Sequence, residues 1–179
     1  RGADVAFNYR WNDKAAGETQ REIEDIGVRC LRIRAHLGDA NKIKGIFSKI
    51  EQEFGRLDIL VNNAGMTPRG RLEDNTVEEW DRVMNVNARG TFLCTQAEVA
   101  VMRSRRFGRI INVASMAGKV GFPDLSHYCA SKFAVIGFTN AVAKEVAAEG
   151  ITVNAICPGV VGTGMWRGES GLSARWGQE

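Results

Sequence analysis

The fold is decided by two apolar runs, RIINVA at residues 109–114 and ITVNAI at residues 151–156, and by the helical pattern between them. Both runs have the length of a buried strand. The intervening pattern predicts a helix over His127–Glu149 that ends at Gly150. A strand, a helix and a second strand in this order predict two parallel strands joined by a crossover helix.

The same alternation of strand and helix continues towards the amino terminus. Thr76, followed three residues later by Glu79, forms a capping-box pattern, and Asp13 is a candidate cap for an earlier helix. Further strands are predicted at Val5–Tyr9, Val28–Arg34 and Leu57–Val61, and further helices at Lys14–Ile26, Asn41–Phe54 and Glu78–Arg105. The alternation predicts an α/β fold of one domain over residues 1–179, in which helices cover both faces of a doubly wound parallel sheet in three αβα layers.

Composition excludes several classes of function. The net charge is only +3 and the basic residues are scattered, which disfavours a nucleic-acid partner. The two histidines, His36 and His127, are far apart, so we expect no metal site. No apolar run approaches the roughly 20 residues that span a bilayer. The four cysteines form no C-x-x-C pair, which predicts free thiols in a reducing compartment and a cytoplasmic location.

The sequence begins with Arg1 and Gly2 instead of Met, and an apolar run follows at once. A glycine in front of a strand commonly ends a helix. We therefore expect the chain to start at the end of a helix and to be a fragment.

The clearest chemical motif is Tyr128-Cys129-Ala130-Ser131-Lys132. On a helix, positions i and i+4 share a face, so the spacing places the Tyr128 hydroxyl beside the Lys132 ammonium. A phenol has a pKa of about 10, and a neighbouring cation lowers that pKa towards the range useful for proton transfer. An ordinary solvated helix pair produces the same spacing, so the motif needs support from other residues.

That support comes from two polar segments at strand ends. Ser115 follows the strand 109–114, at the edge where parallel sheets bind ligands, and there it is suited to hydrogen-bond a substrate carbonyl or hydroxyl. Asn62-Asn63-Ala64-Gly65 follows another strand, where small residues let the backbone approach a ligand and Asn amides can tie strand ends together. Plain turns are the alternative interpretation of both segments.

Together these motifs resemble the short-chain dehydrogenase/reductase family, most closely its ketoacyl-carrier-protein reductase and glucose dehydrogenase branch. The resemblance extends from Arg1 to about Trp166. It is carried, in the order typical of the family, by Asn62-Asn63-Ala64-Gly65, Asn87, Ser115, Tyr128-x-x-x-Lys132 and Pro158-Gly159. The resemblance implies a Rossmann-type fold and an NAD(P)-dependent oxidoreductase acting on CH–OH groups.

The family implies four catalytic residues. Tyr128 is the general acid in reduction and the general base in oxidation. Lys132 lowers the pKa of Tyr128 and binds the nicotinamide ribose, and Ser115 positions the substrate carbonyl. Asn87, rather than the nearby Asn85, matches the Asn that holds a water in a proton relay.

The family also implies cofactor contacts on two sides of the site. Thr163, with its neighbours, flanks the nicotinamide. An acidic residue at the end of the second strand of the family would favour NAD, whereas Arg10 stands there and favours NADP, with NAD left open. His36 occupies the place where the family usually has an Asp against the adenine. The full set of cofactor candidates is Arg10, His36, Leu37, Asn63, Ala64, Gly65, Tyr128, Lys132, Pro158, Gly159 and Thr163.

The sequence departs from the family at both ends. The glycine-rich turn that binds the pyrophosphate is absent, together with the first strand, which would lie between the strands at Val5–Tyr9 and Leu57–Val61. The chain also ends soon after Trp166, before the last strand of the family. We therefore predict a Rossmann-type fold that lacks the first strand and the glycine-rich turn.

The sequence specifies the substrate and the partners less closely than the catalytic and cofactor residues. Met116, Met165 and Trp166, with Ser115 and Tyr128, are the candidate substrate contacts. The first candidate activity is reduction of a 3-oxoacyl group; a sugar or polyol dehydrogenase and a catalytically silent fragment or structural subunit that binds no dinucleotide are the alternatives. The family implies a homodimer or homotetramer built by the helix segments around Thr91–Met102 and Phe133–Val146.

Overall fold

The computed structural model describes residues 2–162, which form five strands, five α-helices and several short helical turns. A π-helical segment, Asn85–Arg89, joins the third and fourth helices. The strands are β1 Val5–Tyr9, β2 Cys30–Arg34, β3 Ile59–Asn62, β4 Gly108–Val113 and β5 Ile151–Ile156, and the helices are α1 Asp13–Glu24, α2 Ala40–Phe54, α3 Val77–Met84, α4 Gly90–Arg105 and α5 Ser126–Glu145.

All strand pairs are parallel, and they form two pieces of sheet. β1 pairs with β2, while β3, β4 and β5 pair in that order. Within residues 2–162, β1 and β3 are not hydrogen-bonded to each other. The break falls where the sequence predicts an absent strand, and the parallel strands flanked by helices confirm the Rossmann-type fold class.

The largest core cluster lies between β4, β5 and the helices α4 and α5. Met102 and Val146 pack there against Ile110, Ile151 and Val153. Along β4, fully buried residues alternate with partly buried ones, because neighbouring side chains on a strand point to opposite faces. This packing fixes the first half of β4 and the start of β5 against α4 and the end of α5.

The helix boundaries differ from prediction at several places, and two of them have a clear physical cause. Asn12, not Asp13, caps α1: its side-chain oxygen accepts a hydrogen bond from Ala15 N at 3.0 Å. Asp13 instead accepts a hydrogen bond from the Tyr9 hydroxyl, which holds it inside the first turn. At the other end, α5 stops at Glu145 and a 3₁₀ turn leads to Gly150, whose φ is +77°.

Candidate active site

Asn87 connects the loop after β3 to helix α5. It lies in the π-helical segment and is almost fully buried. Its amide nitrogen donates to Met66 O and to the Ser131 hydroxyl, each at 2.9 Å, and its oxygen accepts from Met66 N at 2.9 Å. The amide donors are therefore engaged within the protein, and its role in a water relay stays a prediction.

Tyr128 and Lys132 lie one turn apart on α5. The Lys132 Nζ donates a 2.7 Å hydrogen bond to the carbonyl of Val113, the last residue of β4. The same nitrogen lies 5.7 Å from the centre of the Tyr128 ring. The helix thus presents a phenol and an ammonium together at the carboxyl end of β4.

Ser115 begins the 3₁₀ turn Met116–Gly118 directly after β4. Its Oγ accepts a hydrogen bond from Ala117 N at 3.1 Å, which fixes the side chain at the start of the turn. The turn packs tightly on α5, since a Cβ at Gly118 would lie only 2.7 Å from the carbonyl oxygen of Lys132. Glycine at 118 therefore lets the turn hold Ser115 beside Tyr128.

The electrostatics of the pair differ from the prediction. Burial raises the pKa of Tyr128, and a hydrogen bond with Ser115 lowers it only partly. Burial also lowers the pKa of Lys132 to about 8, with Cys157 opposing that shift. The expected lowering of the phenol pKa by Lys132 is thus not seen: the ammonium is bound to Val113 O, and desolvation dominates at both groups.

A buried network of hydrogen-bonded polar side chains supports the site. Asn62 Nδ2 donates to Asn112 Oδ1 at 2.9 Å, and Asn112 Nδ2 donates to the Thr139 hydroxyl at 2.9 Å. The prediction that the asparagines after β3 tie neighbouring strands together is confirmed for Asn62. Asn112 and Thr139 were not predicted; the only sequence signal was an Asn inside the apolar run RIINVA.

The segments expected to contact the cofactor meet around the same residues. A Cβ at Gly65 would lie 3.4 Å from Asn87 Oδ1 and 3.6 Å from Lys132 Nζ, so the backbone of the Asn63-Ala64-Gly65 loop faces the site directly. Pro158 O accepts a hydrogen bond from Met116 N at 3.0 Å, which joins the segment after β5 to the Ser115 turn.

Gly159 lies next to Met116 as well, since its Cβ would be 3.9 Å from Met116 Cγ. Met116 itself is half-exposed, so it is open to a ligand. Thr163, Met165 and Trp166 lie outside the described residues.

The remaining cofactor candidates lie at the ends of β1 and β2. Arg10 is exposed and stacks on Trp11, with its guanidinium 4.3 Å from the ring centre. The His36 Nδ1 accepts a hydrogen bond from Gly38 N at 3.2 Å, and its Nε2 is buried without a hydrogen-bond partner. The imidazole would have to turn outwards to contact an adenine. Leu37 lies against Gly90 at the start of α4.

Two classes of site find no support in the part of the chain that the structure describes. Residues 2–162 contain no group of three side chains suited to hold a metal ion. No helix in the same range is both long and apolar enough to cross a membrane. All four cysteines are free thiols.

The fold is of the Rossmann type, and it brings Ser115, Tyr128 and Lys132 together at the carboxyl end of β4. The chain belongs to the short-chain dehydrogenase family, whose model matches residues 1–171. This is a family of NAD(P)-dependent oxidoreductases that act on CH–OH groups and ketones.

Its curated relatives include three proteins of similar identity. The chain is 40% identical over 164 residues to a 3-oxoacyl-[acyl-carrier-protein] reductase of Synechocystis sp., covering 92% of this chain and 66% of that protein. It is 40% identical over 164 residues to the 3-oxoacyl-[acyl-carrier-protein] reductase FabG of Staphylococcus aureus, covering 67% of it. It is 41% identical over 166 residues to an acetoacetyl-CoA reductase of Shinella zoogloeoides, covering 93% of this chain and 67% of that protein. The chain thus spans about two thirds of the length of these relatives.

Proposed function

We propose that this site interconverts a ketone and a secondary alcohol with NADP(H), and that the physiological ketone is a 3-oxoacyl group. The observation that carries the proposal is the meeting of Ser115, Tyr128 and Lys132 at the carboxyl end of β4. The names of the relatives, which are reductases of 3-oxoacyl and acetoacetyl groups, support the substrate class.

The residues of the site fit a nicotinamide dinucleotide. The loop at Gly65 offers bare backbone next to the Lys132 ammonium, which suits a sugar hydroxyl as hydrogen-bond acceptor. Arg10, exposed at the end of β1, suits the 2′-phosphate of NADP, although NAD is not excluded by it. When bound, such a cofactor supplies or accepts the hydride.

The proton chemistry belongs to the side chains of the chain. In reduction, Ser115 donates a hydrogen bond to the substrate oxygen and Tyr128 delivers a proton to it. Because burial raises the pKa of Tyr128, the phenol is fully protonated at neutral pH and ready to act as the acid. In oxidation the phenolate must form, which a positive charge close to the ring would favour.

Met116 supports an apolar substrate portion. Its side chain is half-exposed and borders the Ser115 turn and the segment at Pro158 and Gly159. An acyl chain leaving the carbonyl at Ser115 would pass this side chain. Met165 and Trp166 follow in the sequence and stay candidates for the same surface.

The test is oxidation of NADPH, followed at 340 nm, with acetoacetyl-CoA as the ketone. We expect Tyr128→Phe to lose activity by about 10²–10⁴-fold, since the proton donor is removed. The increase in NADPH fluorescence on binding should survive in that variant. Ser115→Ala should also lower the activity, because it removes the hydroxyl proposed to bind the substrate oxygen, whereas Ser104→Ala, which removes an exposed hydroxyl on α4, should leave the activity unchanged.

Three outcomes would contradict the proposal. A chain that binds the dinucleotide but oxidises glucose-type sugars or polyols with NADP+ better than it reduces acetoacetyl-CoA with NADPH belongs to the sugar dehydrogenase alternative. A chain that binds neither NADPH nor NADH is the silent subunit. Full activity of Tyr128→Phe would remove the assigned acid.

We further propose a homodimer or homotetramer in the cytoplasm, acting on a small molecule and on neither nucleic acid nor membrane. Four free thiols suit a reducing compartment. The half-exposed Phe92 of α4 and Phe133 of α5 suit a contact with a second copy.

A further inference from the structure

The ends of β1 and β2 carry three arginines close together, and their ion pairing is unequal. Tyr9 and Arg34 face each other in the parallel register of the two strands, and Arg10 follows directly. Arg32 donates to Asp13 O at 3.1 Å and lies 3.7 Å from the carboxylate of Asp13. The positive charge of Arg32 is thereby paired with the carboxylate of Asp13. The same carboxylate also accepts a hydrogen bond from the Tyr9 hydroxyl.

The other two guanidinium groups at these strand ends belong to Arg10 and Arg34. Within residues 2–162, neither makes an ion pair with a carboxylate. Both are exposed, and the Arg34 Nε donates a 3.3 Å hydrogen bond to the backbone carbonyl of Arg10. This bond holds the Arg34 guanidinium next to the backbone of Arg10, and it uses only one of the five N–H donors of Arg34.

The surroundings favour an anion. The N-terminus of α1, a helix of twelve residues, begins beside this pair, and its dipole adds partial positive charge. Trp11, 69% exposed, lies under the Arg10 guanidinium. The exposed indole offers a flat face for a nucleotide base.

We infer that Arg34 is a second phosphate ligand, which with Arg10 forms a two-guanidinium clamp for the 2′-phosphate of an adenosine whose base lies near Trp11. Planar guanidinium groups bind phosphate oxygens through paired hydrogen bonds, and two of them match a dianion better than one. The inference rests on the proposed function, in that it assumes an adenosine dinucleotide at this edge of the sheet. It adds that selectivity for the 2′-phosphate depends on β2 as well as on β1.

The test uses adenosine 2′,5′-bisphosphate and adenosine 5′-monophosphate, measured by isothermal titration calorimetry with the intact protein. We expect the bisphosphate to bind at least about tenfold more tightly than the monophosphate, as charge-assisted phosphate contacts are strong. Arg34→Gln should reduce this ratio about threefold and leave the affinity for the monophosphate unchanged. Arg10→Gln should do the same, and the double variant should abolish the preference.

Arg21→Gln is the matched control, because Arg21 is an exposed arginine in the last turn of α1, away from the clamp. The ratio of its affinities for the bisphosphate and the monophosphate should equal that of the wild type. Melting temperatures of all variants are measured as well; Arg34 bonds only to one backbone carbonyl, so Arg34→Gln should keep the fold.

The outcomes separate the inference from the proposed function. If both nucleotides bind and Arg34→Gln leaves their ratio unchanged, the clamp is wrong and the dinucleotide site stands. If both bind equally to the wild type, the 2′-phosphate assignment is wrong. If neither binds, the proposed dinucleotide site fails and the clamp fails with it.

Discussion

The two groups on α5 proposed to be catalytic illustrate, at the level of single residues, how burial opposes the charged state that their proposed roles require. Tyr128 and Lys132 both lose solvation, so the uncharged form of each becomes more favourable. The phenol keeps its proton at neutral pH but becomes a weaker acid, whereas the ammonium comes close to losing its proton at ordinary pH. The hydrogen bond from Lys132 Nζ to Val113 O partly offsets this cost.

Lys132 therefore makes the activity sensitive to alkaline pH. Its pKa of about 8 lies below its ordinary value, so the positive charge is present below pH 8 and disappears above it. We expect kcat/KM for ketone reduction to fall about tenfold per pH unit above that point. In Lys132→Arg the falling limb should vanish, because a guanidinium keeps its proton, even though the overall rate is lower.

The control for the alkaline limb is Lys144→Arg, a substitution at an exposed lysine of the same helix. Its pH profile should match that of the wild type. A wild-type profile that stays level to pH 9.5, or an identical limb in Lys132→Arg, would show that another group titrates.

Glu98 of α4 gives a second, independent prediction. It is buried, and burial raises the pKa of its carboxyl to about 7, with Arg105 opposing the shift. The folded pKa of Glu98 lies above its unfolded value. The contribution of Glu98 to the free energy of unfolding is therefore fully present below about pH 4.5 and is lost as the pH rises through about 7.

Glu98→Gln should consequently leave the free energy of unfolding unchanged at pH 4.5 and increase it at pH 8 by ~2 kcal/mol. Urea denaturation at the two pH values measures the difference. Glu22→Gln, at an exposed position of α1, should change neither value. An equal effect of Glu98→Gln at both pH values would contradict the assignment.

At the scale of elements, local sequence signals were sufficient for the strands and for most helix ends. The capping box was correct, since Thr76 Oγ1 accepts from Glu79 N at 3.1 Å. The break inside the predicted helix Glu78–Arg105 was only partly foreseeable. Nothing in the local pattern of residues 85–89 marks a π-helical segment, because its cause is remote.

The remote cause is packing on both sides of that segment. Gly90 lies so close to Leu37 that a Cβ would be 3.2 Å from its carbonyl oxygen, and Asn87 bonds to Met66. The spacing of Tyr128 and Lys132, by contrast, could be predicted from the sequence of a single helix. The position of Ser115 at a strand end was also predicted from the sequence, whereas the bond of Lys132 to Val113 depends on the tertiary fold and was not predicted.

The π-helical segment should thus be an element whose stability depends on one amide. Asn87→Ala removes three buried hydrogen bonds and leaves the Ser131 hydroxyl and the Met66 backbone without these partners. We expect the free energy of unfolding to fall by about 2–4 kcal/mol, measured by urea denaturation. Asn85→Ala should cost little, because the Asn85 side chain meets only Arg89, at 3.4 Å. Similar losses for both variants would show that Asn87 has no special role.

At the scale of the whole molecule, the two pieces of sheet differ in how they are covered. The carboxyl ends of β3, β4 and β5 are set by buried polar bonds and by α4 and α5. The opposite face of β3 is open in residues 2–162, with Ile59 at 52% and Val61 at 51% exposure. The catalytic residues lie on the well-packed piece, whereas the proposed phosphate clamp lies on the β1–β2 piece. Catalysis and nucleotide selectivity can therefore be altered separately.

The outer surface of α4 and α5 is where we expect a second copy of the chain. Phe133 is 47% exposed, and Phe92 contacts Phe138 edge to face at 6.0 Å, so the two helices share an apolar surface. Burying such a surface is favourable by about 25 cal/mol per Å² of apolar area removed from water. A charge introduced there would be desolvated in a dimer and hydrated in a monomer.

Phe133→Asp should therefore lower the sedimentation coefficient to that of a single chain, with an unchanged far-ultraviolet circular dichroism spectrum. Leu72→Asp is the matched control, because Leu72 is 75% exposed in a 3₁₀ turn that belongs to neither α4 nor α5. Analytical ultracentrifugation at several concentrations compares the two variants with the wild type. A wild type that is monomeric throughout, or an oligomer that Leu72→Asp dissociates and Phe133→Asp does not, would place the interface elsewhere. Because Phe133 directly follows Lys132, dissociation accompanied by loss of ketone reduction would further indicate that pairing of the helices supports the geometry of the site.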